Sequence, residues 1–76
     1  MKNSVIQSSP DILSGMSVFR GTRVPIKNLF DYLESGDTIE NFLSDFPTVK
    51  RDQVIEVLEI AERVLISNGS IYENIA

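Results

Sequence analysis

The feature that most constrains the fold of this 76-residue chain is a repeated spacing of apolar residues from residue 26 onward. They recur at i, i+3, i+4 and i+7, the period of an amphipathic helix, in three successive segments. The apolar positions of the three segments are Ile26, Leu29, Phe30 and Leu33; Ile39, Phe42, Leu43 and Phe46; and Val54, Val57, Leu58, Ala61, Val64 and Leu65. We predict three short helices that bury these stripes against one another.

Helix-ending residues separate the three segments. Ser35-Gly36 ends the first, and Thr38 is placed to cap the second. Pro47 ends the second helix, because the residue before a proline is driven out of helical geometry. We predict the third helix from about Lys50 to Ser67. A short second helix followed by a longer third one is typical of a helix-turn-helix, although many three-helix bundles share these proportions and bind no nucleic acid.

The first 25 residues predict a small β arm rather than a helix. Val5-Ile6-Gln7 reads as a short strand, and residues 8–15 as one helical turn. Val18-Phe19 and Arg23-Val24 are extended pieces around a turn at Gly21-Thr22, which predicts a tight hairpin or a paired arm, and Gly21 is expected to adopt a positive φ. The predicted division is therefore an arm and turn over 1–25, a three-helix unit over 26–68 and a tail over 69–76, all in one domain.

The residue types that are missing narrow the classes of function. The chain has no Cys and no His, so it has no disulfide, no thiolate metal site and no imidazole base. We expect a protein that is not an enzyme and that holds no cofactor or metal. The N-terminus lacks a signal-peptide pattern and no window has the length of a membrane span, which predicts a cytoplasmic protein that does not enter a membrane.

Charge is divided along the chain. The net charge is −4, but residues 1–30 carry four basic residues against one acid, and residues 31–76 carry three against ten. A basic N-terminal part and an acidic C-terminal part suggest two different partners. The alternative is that the acidic helices are simply solvated.

Two segments of the chain carry a resemblance to a known family. The first is Pro10-Asp11-Ile12-Leu13-Ser14-Gly15 followed by Val18-Phe19-Arg20-Gly21-Thr22-Arg23-Val24-Pro25. The second is Leu33-x-x-Gly36-x-Thr38-Ile39-Glu40-x-x-Leu43-x-x-Phe46-Pro47. Together they resemble the VapB-like antitoxins, the domain of unknown function four-three-three, over roughly residues 5–65. The resemblance implies a homeodomain-like helix-turn-helix behind an N-terminal β arm, a PIN-like ribonuclease toxin as partner, and no catalysis.

The chain departs from the family pattern at three places. Ser17 stands where the family usually has Pro. Lys50 replaces a Thr that often caps the third helix, so that Thr48 or Asp52 is expected to cap it instead. The pattern also stops at about Ala61, so the resemblance does not cover the residues beyond it.

The candidate DNA-binding residues lie in two places. Lys50, Arg51 and Gln53 begin the third helix, the end that enters the major groove in helix-turn-helix proteins, where Arg and Gln make bidentate contacts with bases. The competing interpretation is an ordinary solvated helix start, since Asp52 and Glu56 would repel phosphate.

Arg20 and Arg23 flank the predicted turn and are the second set of DNA-binding candidates. Their guanidinium groups suit phosphate. In the competing interpretation they fold back onto backbone carbonyls or onto Asp11, because an arm without a core of its own needs such ties.

Candidate toxin-binding residues are Glu59, Glu62 and Tyr72. An acidic helix face complements a basic nuclease groove, although it could equally be a solvated face.

We therefore predict an antitoxin that binds a PIN-like ribonuclease and binds operator DNA to regulate its own synthesis. The alternatives are an interaction module without DNA binding and a DNA-binding protein without a toxin. We also predict a homodimer in which two arms pair about a two-fold axis.

Overall fold

A computed structural model of the chain describes residues 4–8, 11 and 15–67. These residues form two strands, β1 (Ile6–Gln7) and β2 (Val18–Phe19), followed by three helices, α1 (Ile26–Glu34), α2 (Ile39–Asp45) and α3 (Arg51–Ser67). The predicted mainly helical fold, with three helices behind a short β arm, is confirmed. Most of the predicted helical turn at 8–15, the tail and Tyr72 lie outside the described residues.

The predicted β arm is confirmed, and the two strands that pair in it are β1 and β2. β1 and β2 run antiparallel, with Ile6 opposite Phe19 and Gln7 opposite Val18. The chain after the turn joins β2 through one backbone hydrogen bond, from the amide of Phe19 to the carbonyl of Val24 at 3.0 Å, and an isolated bridge from Val18 to Pro25. The proline lacks an N–H and stops the ladder there. Gly21 has a φ of +79°, as the turn requires.

Local chemistry accounts for the helix ends. α1 closes in a Schellman motif: the amide of Gly36, at a φ of +87°, donates to Leu33, and the amide of Asp37 donates to Tyr32. The Thr38 hydroxyl caps α2 by accepting from the amide of Asn41 at 3.0 Å. α2 ends at Asp45, just before Phe46-Pro47, as predicted.

A single small core joins the arm to the three helices. The buried hydrophobic residues of the described chain are Val5, Val18, Phe19, Leu29, Phe42, Val49, Val54 and Val57. Phe42 lies at the centre, and its ring centroid is 5.9 Å from that of Phe19, 5.4 Å from Tyr32 and 5.0 Å from Phe46. The arm therefore contributes Val5 and Phe19 to the same core as the helices.

The predicted burial of the α3 stripe is wrong in its second half. Val54 and Val57 are buried, but Val64 is 46% exposed and Leu65 is 55% exposed. The reason is length: α3 has 17 residues and α1 and α2 have 9 and 7, so α3 is roughly 25 Å long against roughly 14 and 10 Å. Two short helices cannot cover the whole of a long one, and α3 extends past the core.

Candidate functional site

The guanidinium of Arg20 is held by its own arm. Its Nε donates to the backbone carbonyl of Ser4, and its Nη2 donates to that of Ile6 at 3.4 Å. This is the fold-back onto backbone carbonyls that the sequence left as the alternative to phosphate contact. Arg23, on the other side of the turn, is exposed. A phosphate contact by Arg20 would have to exchange these bonds, whereas one by Arg23 would not.

The same contacts occupy the outer edge of β1. Ile6 lies in a non-hydrogen-bonded pair with Phe19, so its own N–H and C=O point away from β2. Its N–H donates to the Ser4 hydroxyl at 3.1 Å, and its C=O accepts from Arg20. Unpaired edge groups are what a second strand would bind. Pairing of two arms through Ile6 would therefore first have to displace Ser4 and Arg20.

Gln53 ties the start of α3 to the arm. Its Oε1 accepts from the amide of Lys50 at 3.0 Å, and its Nε2 donates to the carbonyl of Arg20 at 3.0 Å. The first bond is the side-chain half of a capping box, so Gln53 serves the helix start where Thr48 or Asp52 was expected. The second bond brings the arm's turn beside α3. Both ends of the Gln53 amide are thus engaged within the chain.

Arg51 is paired with an acid of α2. Its Nη2 lies 2.7 Å from Oε2 of Glu40, and both side chains are more than half exposed. The hydrogen bond from Arg51 holds the pKa of the Glu40 carboxyl below its usual value. Lys50, next to Arg51, is exposed. Because Glu40 offsets the charge of Arg51, the net positive charge at the start of α3 is smaller than Lys50 and Arg51 alone would give.

The solvent-facing side of α3 is acidic. A shallow surface along the helix is lined by Arg51, Asp52, Ile55, Glu56, Glu59 and Arg63. Helical periodicity places Glu62 and Ile66 on the same side, one turn further on. This set of eight residues is the outer face. It carries four acids and two arginines, a net charge of −2, with Ile55 40% and Ile66 72% exposed.

The structure thus separates the candidate residues into two groups. The hydrogen bond between Gln53 and Arg20 brings the turn of the arm to the start of α3, where Lys50 and Arg51 lie. Glu59 and Glu62 lie further along α3 and are exposed. In a helix-turn-helix the solvent-facing side of the third helix meets the DNA, and on this α3 that side bears the acidic surplus.

Sequence reasoning missed three contacts that shape this surface. It assigned no partner to Arg51, no capping role to Gln53, and no bond between Tyr32 and Asp45. The Tyr32 hydroxyl donates to Oδ2 of Asp45 at 2.5 Å, joining α1 to α2, and this bond raises the pKa of Tyr32. Only the Gln53 cap had a signal in the sequence, namely a Gln three residues after the helix start.

The described residues also give two negative observations. No helix among them is both long enough and apolar enough to cross a membrane. Within the same part of the chain, no three acidic side chains come together in a group that could hold a metal ion.

Comparison with known proteins places the chain in a family. It is 36% identical over 50 residues to the uncharacterized protein y4eO of Sinorhizobium fredii, a match that covers 66% of this chain and 23% of that protein. The match therefore spans less than a quarter of that relative's length. No solved structure matches it. The family model of the proteins of unknown function DUF433 matches residues 6–61, and the chain belongs to this family.

Proposed function

We propose that this protein is the antitoxin of a type II toxin–antitoxin pair, and that it binds and neutralises a PIN-like ribonuclease. The observation that carries the proposal is the outer face of α3. It is the exposed side of the longest described helix, and it combines an acidic surplus with two exposed isoleucines. In this proposal the isoleucines form the apolar part of the interface and the charged residues around them form its polar rim.

The charge of the outer face indicates the kind of partner. A ribonuclease binds a polyanion and carries a basic surface for it, and an acidic helix is complementary to such a surface. Glu59 and Glu62 lie near the centre of the face, between the turns that carry Ile55 and Ile66. In this proposal the isoleucines supply the buried contact and the glutamates supply orientation and rate of association.

The proposal is tested by co-expressing the chain with the product of its neighbouring gene and purifying through a tag on one partner. We expect co-purification, and rescue of growth when the neighbouring gene alone is toxic. Glu59→Lys with Glu62→Lys reverses the local charge and should abolish or slow capture. Glu34→Lys with Asp37→Lys is the matched control, since it changes the net charge equally at two exposed positions, the last residue of α1 and the loop that follows it. Equal capture by both double variants would contradict the proposal.

DNA binding is the second candidate function. It is favoured by the short α2, the five-residue link and the long α3, with Lys50 and Arg51 exposed at the start of α3 and Arg23 exposed on the neighbouring turn. The Glu40 pair and the acids of the outer face oppose it. Any DNA contact would therefore involve the N-terminal end of α3 and the turn of the arm, and not the remaining length of the helix.

Binding of the protein to the DNA upstream of its own gene, measured at low and moderate salt, tests this second function. Arg51→Ala should weaken binding and reduce the salt slope by about one if Arg51 contacts phosphate. Because Arg51 lies at one end of the outer face and its loss makes that face more acidic, the same substitution should leave capture of a basic protein partner at least as strong. An absence of salt-dependent binding in the wild-type chain would leave the antitoxin as a pure protein-interaction module.

A further inference from the structure

α3 carries a second surface, distinct from the outer face. Leu58, Ala61, Val64 and Leu65 continue the side of the helix whose earlier residues, Val54 and Val57, are buried in the core. Leu58 and Ala61 are half-buried, Val64 is 46% exposed and Leu65 is 55% exposed. We call these four residues the C-terminal stripe. The stripe is the part of the core-facing side of α3 that extends beyond α1 and α2.

The two surfaces of α3 differ in whether they can meet a copy of themselves. In a two-fold symmetric pair each surface faces an identical one, so that a surface with a net charge faces the same net charge. The outer face, with four acids and two arginines, has a net charge of −2 that opposes its pairing with a copy of itself. The C-terminal stripe carries no charge and is apolar at every position. Of the two surfaces, the uncharged stripe is the better suited to self-association.

We propose that the C-terminal stripe is the contact between two copies of this chain. The two α3 helices cross antiparallel, with the symmetry axis near residue 63. Ala61 of each copy then faces Leu65 of the other, because both lie two residues from the axis. A large side chain, Leu65, packs against a small one, Ala61, at two symmetry-related places, and this arrangement lets two helices pack closely.

Two further observations favour α3 over the arms as the contact. The outward N–H and C=O of Ile6 on β1 are already bonded to Ser4 and Arg20, so the arm does not offer a free edge there. The stripe also leaves the outer face exposed in the pair, so each copy can still bind its protein partner. Four side chains of one helix bury less than the roughly 800 Å² per partner of a standard interface, and the dimer should therefore depend on concentration.

Sedimentation equilibrium of the full chain over a concentration series tests the proposal. We expect the average mass to rise from 8.5 kDa towards twice that value. Leu65→Glu should weaken the dimer by roughly tenfold or more, because it places a charge in an apolar contact. Ile66→Glu is the matched control: it makes the same change at the next residue, which is more exposed and lies about 100° around the helix. It should associate as the wild type does.

Three results would overturn the proposal: a wild-type chain that stays monomeric at millimolar concentration, equal loss of dimer in both variants, or a Leu65→Glu chain that dimerises normally. Circular dichroism of both variants checks that the fold is intact, which the exposure of both positions favours. The test is independent of the proposed function. Glu59→Lys with Glu62→Lys should lose the protein partner and keep the dimer, and Leu65→Glu should do the reverse.

Discussion

The two halves of α3 have the same periodicity and opposite surroundings. In the first half, Val54 and Val57 are buried, and Gln53 is bonded to the arm. In the second half, Val64 and Leu65 occupy equivalent positions on the helix and are about half exposed. The comparison teaches that an apolar stripe specifies which side of a helix is to be covered, and the lengths of the neighbouring elements decide how much of it is covered within one chain.

The largest effect is expected where the first half of α3 meets the aromatic cluster. Phe42 is fully buried and contacts three other rings, so Phe42→Ala should cost roughly 3–5 kcal/mol of unfolding free energy, a large part of the total for a small domain. Phe46 is only partly buried, and Phe46→Ala should cost less. Urea unfolding followed by circular dichroism measures both. Equal stability of Phe42→Ala and the wild type would mean that the helix packing is misassigned.

A matched pair on α3 tests the comparison directly. Val57→Ala and Val64→Ala make the same change seven residues apart, close to the same side of the helix. Val57 is 3% exposed, and its truncation should cost roughly 1.5–3 kcal/mol. Val64 is 46% exposed, and its truncation should change the stability of the monomer by no more than about 0.5 kcal/mol. Thermal midpoints at low concentration give the difference, and similar losses at both sites would refute the contrast between the two halves.

The next largest effect on stability is expected at the hydrogen bonds of Gln53, which join α3 to the arm. Gln53→Ala removes the cap on Lys50 and the bond to Arg20, and should cost about 1 kcal/mol. Gln53→Glu is the informative comparison, since a carboxylate can still accept from Lys50 but cannot donate to the Arg20 carbonyl. Amide exchange at the arm should rise in both variants. If only the cap mattered, Gln53→Glu would keep the exchange of the wild type.

The smallest effect concerns the ion pair between Arg51 and Glu40. Because the pKa of Glu40 is lower in the folded chain than its usual value of 4.5, the pair contributes stability above that pH, and the contribution is lost as the pH falls through the lowered pKa. Both groups are exposed, so the contribution is small. Thermal midpoints of the wild type and Glu40→Gln should differ slightly at pH 7 and converge below pH 4.5. A difference in thermal midpoint that grows as the pH falls would contradict the lowered pKa of Glu40.

What could be predicted from the sequence depended on the range of the interactions. The ends of α1 and α2 follow from Gly36, Thr38 and Pro47, whose effects act within a few residues. The sequence predicted a β arm but did not specify that β1 pairs with β2, because the paired residues lie 11 and 13 positions apart and their pattern does not identify a partner.

The candidate site was predictable only in part, for the same reason. The sequence placed Glu59 and Glu62 on an exposed helix, but it could not show that Arg51 meets Glu40 or that Gln53 meets Arg20, since these pairs depend on how the elements pack. The exposure of Val64 and Leu65 was missed because periodicity contains no information on the length of the neighbouring helices.

The bond between Gln53 and Arg20 spans 33 residues of chain, whereas the contacts that join α1 to α2 span far fewer. Closing a longer loop costs more entropy before any contact repays it. Val5 and Phe19 of the arm are buried against the core that the helices form. We therefore expect the helices to form first and the arm to dock last, so that substitutions in the arm accelerate unfolding and leave the rate of folding nearly unchanged.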